Sequence, residues 1–195
     1  DMPSKWDSKT QSSIQLSSFD VILTNPPYGS KLKIDDREIL SHYDLGFQWK
    51  AKDGVFTKTT KQLDYQTPQV LFIERCLNLL KAGGRLGIVA PESMFCNPSH
   101  KYIMDYVESK AQIEAVISMP ENLFQPHTHA KTCVVLMRKL TEGETIDPNS
   151  EIFMAVAKWC GHDSRGLEVP YDDIPAIQER YEKFKGGEKL DYDHL

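Results

Sequence analysis

The residue types best placed for chemistry lie in the run Asn25-Pro26-Pro27-Tyr28, directly after the apolar stretch Phe19 to Thr24. An exocyclic amino group on a purine is a weak nucleophile because its lone pair is delocalised into the ring. Two acceptors that grip its hydrogens localise that pair. Asn25 offers a side-chain carbonyl, Pro26 offers a backbone carbonyl held rigidly by the paired prolines, and Tyr28 offers a flat face on which an extruded base can stack. No strong base is needed, because an electrophilic methyl donor placed in line completes the reaction by proximity and orientation.

These groups must be held by the elements around them. Phe19 to Thr24 is a nearly continuous run of β-formers, the pattern of a strand buried on both faces of a parallel sheet. Neither proline can donate to a sheet ladder, and Pro26 pushes Asn25 away from helical angles, so the strand ends there. In open α/β sheets that carboxyl edge is where ligands bind.

The Asn-Pro-Pro-Tyr run resembles the catalytic motif of S-adenosylmethionine-dependent amino-methyltransferases, most closely the adenine-N6 DNA methyltransferases, and Gly161 to Gly166 followed by Asp173-Ile174-Pro175 resembles the segment after the catalytic domain in modification subunits of type I restriction systems. The resemblance spans about residues 19 to 185 and is strongest at the tetrapeptide. It implies catalytic roles for Asn25 and Pro26 on the amino group and for Tyr28 on the base. It also implies a glycine-rich cofactor loop and an acidic ribose-binding residue ahead of the motif. Residues 1 to 18, a polar lead-in without periodicity, leave no room for either, so both are expected upstream of Asp1. The expectation is therefore a fragment, inactive alone, whose S-adenosylmethionine site is incomplete, with Asn25 bordering the methyl donor. Related enzymes with the same signature act on RNA bases or protein glutamine, and a non-catalytic binding or assembly piece is the third reading. An unpaired edge of the catalytic strand invites dimerisation.

Bulk properties narrow the class. A chain of 195 residues with 40% hydrophobic composition buries one good core and a small appendage. Residues 1 to 139 carry 17 Lys and Arg against 15 Asp and Glu, while residues 140 to 195 carry 6 against 13, so a polyanion such as DNA meets the first part. The cysteines Cys76, Cys96, Cys133 and Cys160 form no C-x-x-C pair and read as reduced, mostly buried thiols of a cytoplasmic protein. No apolar run has the length of a membrane span.

The remaining chain reads as a partial doubly wound α/β sheet, mostly parallel with one antiparallel strand, helices on both faces and a small C-terminal extension. Residues 1 to 140 make the catalytic-side part, and residues 141 to 195 add a strand and a helix. Residues 29 to 66 form a long connection in which cations alternate with Tyr43, Phe47, Trp49 and Phe56. It is either a lid over nucleic acid or a solvated loop whose acids nearly cancel its bases. Asp53-Gly54 predicts a local hairpin. Thr67-Pro68 starts a packing helix that Lys81 and Gly83 close, and Gly84 to Pro91 is the next buried strand. A helix from Asn97-Pro98 to about Lys110 precedes strands at Ile113 to Met119 and Lys131 to Arg138, which pair antiparallel. Between those strands, Phe124 matches the family's base-pocket aromatic or else anchors its loop on the core. His127 and His129 lack a third ligand, so no metal is expected. Ile152 to Trp159 predicts an edge strand, and Ile174, Ile177, Tyr181 and Phe184 share one helix face after Asp172-Asp173. Nothing resembles a groove-reading element, so base sequence is expected to be read by another domain or subunit, and the resemblance implies specificity and restriction subunits or domains as partners.

Overall fold

The computed structural model describes residues 14–27, 29 and 31–190. Its elements follow in the order β1 (Phe19–Thr24), α1 (Arg37–Ser41), β2 (Phe47–Lys52), β3 (Val55–Gln62), α2 (Pro68–Leu79), β4 (Leu80–Pro91), α3 (Ser93–Cys96), α4 (Lys101–Glu108), β5 (Ala111–Ser118), β6 (Thr132–Lys139), β7 (Phe153–Val156), β8 (Cys160–His162), β9 (Glu168–Asp172) and α5 (Ile174–Lys185). The described residues build a five-stranded sheet in the order β1-β4-β6-β5-β7. β1 runs parallel to β4 and β5 parallel to β7, while β6 is reversed against both β4 and β5. The expected antiparallel pair after the second helix is thus present.

One face of the sheet carries the main core. Val70, Leu71, Ile73 and Leu77 of α2, with Ile103, Tyr106 and Val107 of α4, pack on Leu86, Ile88 and Ala90 of β4 and Val135 and Met137 of β6. The spacing predicted from the sequence therefore places one stripe of each helix inward. On the other face α5 sets Ile177, Tyr181 and Phe184 against Phe153, Ala115 and Leu136. Asp173 does not cap α5 with its side chain. Its Oδ2 instead accepts from the amides of Lys158 and Trp159, and Asp172 Oδ1 accepts from Ile174 N.

The structure corrects several expectations. β1 is not buried on both faces: Val21 is 49% and Leu23 79% exposed, because α5 covers only the β5–β7 side of that face. β4 starts at Leu80 rather than Gly84, since α2 passes straight into the strand. Lys81 closes no helix but pairs with Asp20 at 2.9 Å. The helix expected from Asn97 to Lys110 is divided. Asn97 Oδ1 accepts from Ser99 N, Pro98–His100 form a 3-10 turn, and the α-helix begins at Lys101. Cys76 and Cys133 are buried, but Cys96 is exposed and Cys160 half-buried. Burial pushes the Cys76 thiol up to about 11 and the Cys133 thiol up to about 12.

The connection 29–66 is folded, with its own helix and hairpin. Asp53 (φ 53) and Gly54 (φ 84) supply the left-handed pair that joins β2 to β3. Gly46 lets the chain pass against α1, where a Cβ would meet the Leu40 carbonyl oxygen at 2.2 Å. Buried Glu74 of α2 fixes this turn, accepting at 2.8 Å from both Asp44 N and Leu45 N. Removing it leaves two donors unsatisfied, so Glu74→Ala should lower stability by about 2–3 kcal/mol in denaturant unfolding. Burial raises the Glu74 pKa despite the two amides that lower it. The folded state thus holds this proton more tightly than the unfolded state. Relative to Glu74→Gln, the wild type should lose stability as pH rises from the unfolded value through the raised one, and a gain over that interval would refute the assignment.

Candidate functional site

Because β1 and β4 are parallel, the connection between them begins at the carboxyl edge of the sheet, and α2 returns the chain to the opposite edge. Asn25 is therefore the first residue beyond the edge. It is exposed, and its side-chain amide makes no hydrogen bond to another described residue, whereas Pro26 is buried. A rigid backbone beside a free amide is the arrangement that two acceptors for one amino group need. Tyr28, the expected stacking residue, lies outside the described residues. So does Asp1, ahead of which the cofactor loop and the ribose-binding acid are expected.

The other strand ends build a second polar group at the same edge. Ser118 Oγ donates to Glu92 Oε1 at 2.5 Å, linking the end of β5 to the residue after β4. Lys131 Nζ donates to the Met119 carbonyl at 2.6 Å, and Glu92 N donates to the Lys131 carbonyl at 3.0 Å. These contacts tie both ends of the 119–131 connection to the sheet. Thr132 beside them is fully buried, and its hydroxyl has no partner among the described residues. Sequence reasoning missed Glu92, Ser118 and Lys131 because each is an ordinary polar residue at a strand end. Their common edge exists only once β6 is reversed between β4 and β5.

Phe124 sits half-buried at the end of a 3-10 turn, Glu121–Phe124, within this tied connection. Its carbonyl accepts from Thr128 N, and β8 lies against the turn. The structure thus brings Asn25, Pro26 and the Phe124 turn to one edge of one sheet. His127 and His129 are both exposed. No group of three metal-binding side chains is found among the described residues. No helix among them is long and apolar enough to cross a membrane.

A shallow groove bordered by Val21, Leu23, Gly87, Leu136 and Tyr181 lies away from Asn25, on the half-covered face of the sheet. Its floor is apolar, and β1 pairs on its outer edge with no described strand. The sheet therefore has an accessible carboxyl edge and an uncovered flank, and these are separate features.

Comparison with known proteins places this geometry in context. A protein of Methanocaldococcus jannaschii assigned as a type II restriction enzyme and methyltransferase is 26% identical over 126 residues, 65% of this chain and 9% of that protein. The type I restriction enzyme EcoEI methylase subunit of Escherichia coli is 21% identical over 137 residues, 70% of this chain and 22% of that protein. The chain thus spans a small part of these relatives. Among solved structures, a protein of Listeria monocytogenes assigned to the class I S-adenosylmethionine-dependent methyltransferases matches with a TM-score of 0.56 at 20% identity, over 85% of this chain and 42% of that one. A modification subunit from Vibrio vulnificus, assigned to a type I restriction enzyme, matches with a TM-score of 0.54 at 15% identity, over 89% of this chain and 32% of that one. At these identities the structural matches establish the fold. The N-6 DNA Methylase family matches residues 4–191, nearly the whole length, and this chain belongs to that family.

Proposed function

We propose that this chain is the acceptor-side part of an S-adenosylmethionine-dependent DNA methyltransferase of a restriction-modification system, acting on the N6 amino group of a flipped adenine. The observation that carries this reading is the Asn25 amide, exposed and without a described partner at the carboxyl end of β1, next to buried Pro26. The Asn25 Oδ1 and Pro26 carbonyl accept the two amino hydrogens and localise the nitrogen lone pair. Tyr28, with Phe124 from the 119–131 connection, stacks on the extruded base. Flipping costs a few kcal/mol, which this stacking and the pocket hydrogen bonds offset.

S-adenosylmethionine supplies an electrophilic methyl group to reactions of this kind. This reading places the rest of its site outside the chain. The glycines of this region, Gly83 and Gly84, lie where α2 enters β4, and a phosphate- or cofactor-cradling turn belongs between a strand and the helix that follows. No step is therefore routed through a cofactor-binding residue of this chain. The open edge of β1 and its uncovered face support completion by further chain, as does the 22% share of the EcoEI methylase subunit that the chain spans. Specificity and restriction subunits or domains are the partners this reading implies, with a second copy at the β1 edge as the alternative to further chain.

In the full-length enzyme, Asn25→Ala should lower methyl transfer by about 10²–10³-fold with S-adenosylmethionine binding largely intact, as loss of one preorganised group requires. Undiminished turnover would remove Asn25 from the chemistry. Tyr28→Ala should cut base capture by about 1–3 kcal/mol, read as a smaller fluorescence gain from 2-aminopurine at the target position. An unchanged gain would exclude stacking on Tyr28. Calorimetric titration of the 195-residue chain with S-adenosylmethionine should release little heat, and micromolar binding would show that the site is complete.

A further inference from the structure

The connection 29–66 has bases and acids in nearly equal number, but the bases are in excess in its second half: Lys31, Lys33 and Arg37 share the α1 region with Asp35, Asp36 and Glu38, whereas 47–62 carry four lysines and one acid. Its acids are concentrated in and around α1, where Asp36 Oδ1 caps the helix by accepting from Glu38 N and Ile39 N, and Asp64 lies 3.8 Å from Arg37. The β2–β3 ribbon keeps four lysines, Lys50, Lys52, Lys58 and Lys61, against the single acid Asp53 at its tip. One of the four is neutralised, since Lys58 Nζ lies 2.5 Å from Asp44 Oδ1. Lys50, Lys52 and Lys61 are exposed and have no carboxylate partner among the described residues.

Register puts two of these cations on one face. Alternation along β2 sends Trp49 to one side and Lys50 and Lys52 to the other, opposite Thr57 and Val55 of β3. The Trp49 side is tied down. Its ring meets Tyr106 edge-on at 6.0 Å, its Nε1 donates to the Asp44 carbonyl, and Phe56 N donates to Asp105 Oδ2 at 2.7 Å. The ribbon is thereby fixed on α4, and its base is held by Leu63 N donating to the Gly46 carbonyl. It rises from the same crossover that begins at Asn25, while Thr67 at the end of that crossover stands at the N-cap position of α2 without a side-chain cap bond. Cations on a rigid support are arranged in advance for a row of fixed anions.

We propose that the outer face of the β2–β3 ribbon is a docking surface for the phosphate backbone of duplex DNA, with Lys50 and Lys52 on that face and the exposed Lys61 of β3 as the phosphate contacts. The identity of the polyanion rests on the methyltransferase reading above. The ribbon is a fixed contact and does not close over the substrate as a lid. It positions without reading sequence, as lysine contacts to phosphate do.

The test is binding of a fluorescein-labelled duplex of arbitrary sequence to the 195-residue chain as a function of salt. The triple variant K50Q/K52Q/K61Q should bind more weakly and lower the slope of log K against log salt by about 2–3, near 0.9 for each phosphate no longer neutralised. K50R/K52R/K61R should restore the wild-type slope, and K110Q, which removes an exposed charge at the start of β5, should leave it unchanged. Circular dichroism and Trp49 emission report whether the ribbon stays folded. An unchanged slope in the triple variant, an equal decrease in K110Q, or a response to duplex RNA and not to duplex DNA would each overturn the proposal. No methyl transfer is measured, so failure here is distinct from failure of the Asn25 assignment.

Discussion

The parallel pairing of β1 with β4 is the constraint on which the rest of the molecule depends. Val21 to Thr24 align with Arg85 to Ile88 in parallel register. Two parallel neighbours cannot be joined by a tight turn, so the chain must leave one edge of the sheet and return at the other. Asn25 is where it leaves. The insertion before α2, including α1 and the β2–β3 ribbon, leaves and re-enters the sheet at that same edge.

The crossover keeps its shape through a few buried polar contacts. Glu74 holds the Asp44–Gly46 turn, Gln66 Nε2 donates to the Leu45 carbonyl at 3.0 Å, and Ile34 bridges Gln66. Each satisfies backbone groups that α2 and the sheet leave without partners, and each would be costly to bury unpaired. Lys58 adds an exposed ion pair to the crossover, since its bond to Asp44 lies on the turn that Glu74 grips. Lys50 and Lys52 do not. The distinction between a structural and an available cation is set by which face of β2 and β3 each one occupies.

Much of this was legible in the residues, for identifiable reasons. Short-range signals held: the prolines ended β1, Asp53-Gly54 turned the ribbon, and the stripe of Ile174, Ile177, Tyr181 and Phe184 reached the core. The absence of a helix between β5 and β6 gave the reversed strand. Long-range facts were not legible. An apolar run such as Val21 to Leu23 reads as buried whether or not a second layer lies over it, because composition reports what a strand would favour and not what covers it. The edge cluster of Glu92, Ser118 and Lys131 depends on three strands meeting. Which ribbon lysines are engaged likewise required the fold, since the sequence shows the local excess of lysine in 47–62 but not that Lys58 pairs with Asp44.

The strand that leads into Asn25 has a thinly covered outer face. Burying a valine or leucine side chain contributes about 1.5–3 kcal/mol, and Val21 and Leu23 remain 49% and 79% exposed. A domain of ordinary stability has a margin of about 5–15 kcal/mol in total, so the contribution that β1 forgoes is a sizeable part of it. Its position is fixed by β4 on one edge and by Phe19 and Ile22 packed on the main core. Anything that covers the outer face of β1 therefore acts on the strand whose last peptide sets the direction of Asn25. Covering that face and setting the acceptor geometry are coupled through a single strand, and the coupling follows from where Asn25 sits in the chain.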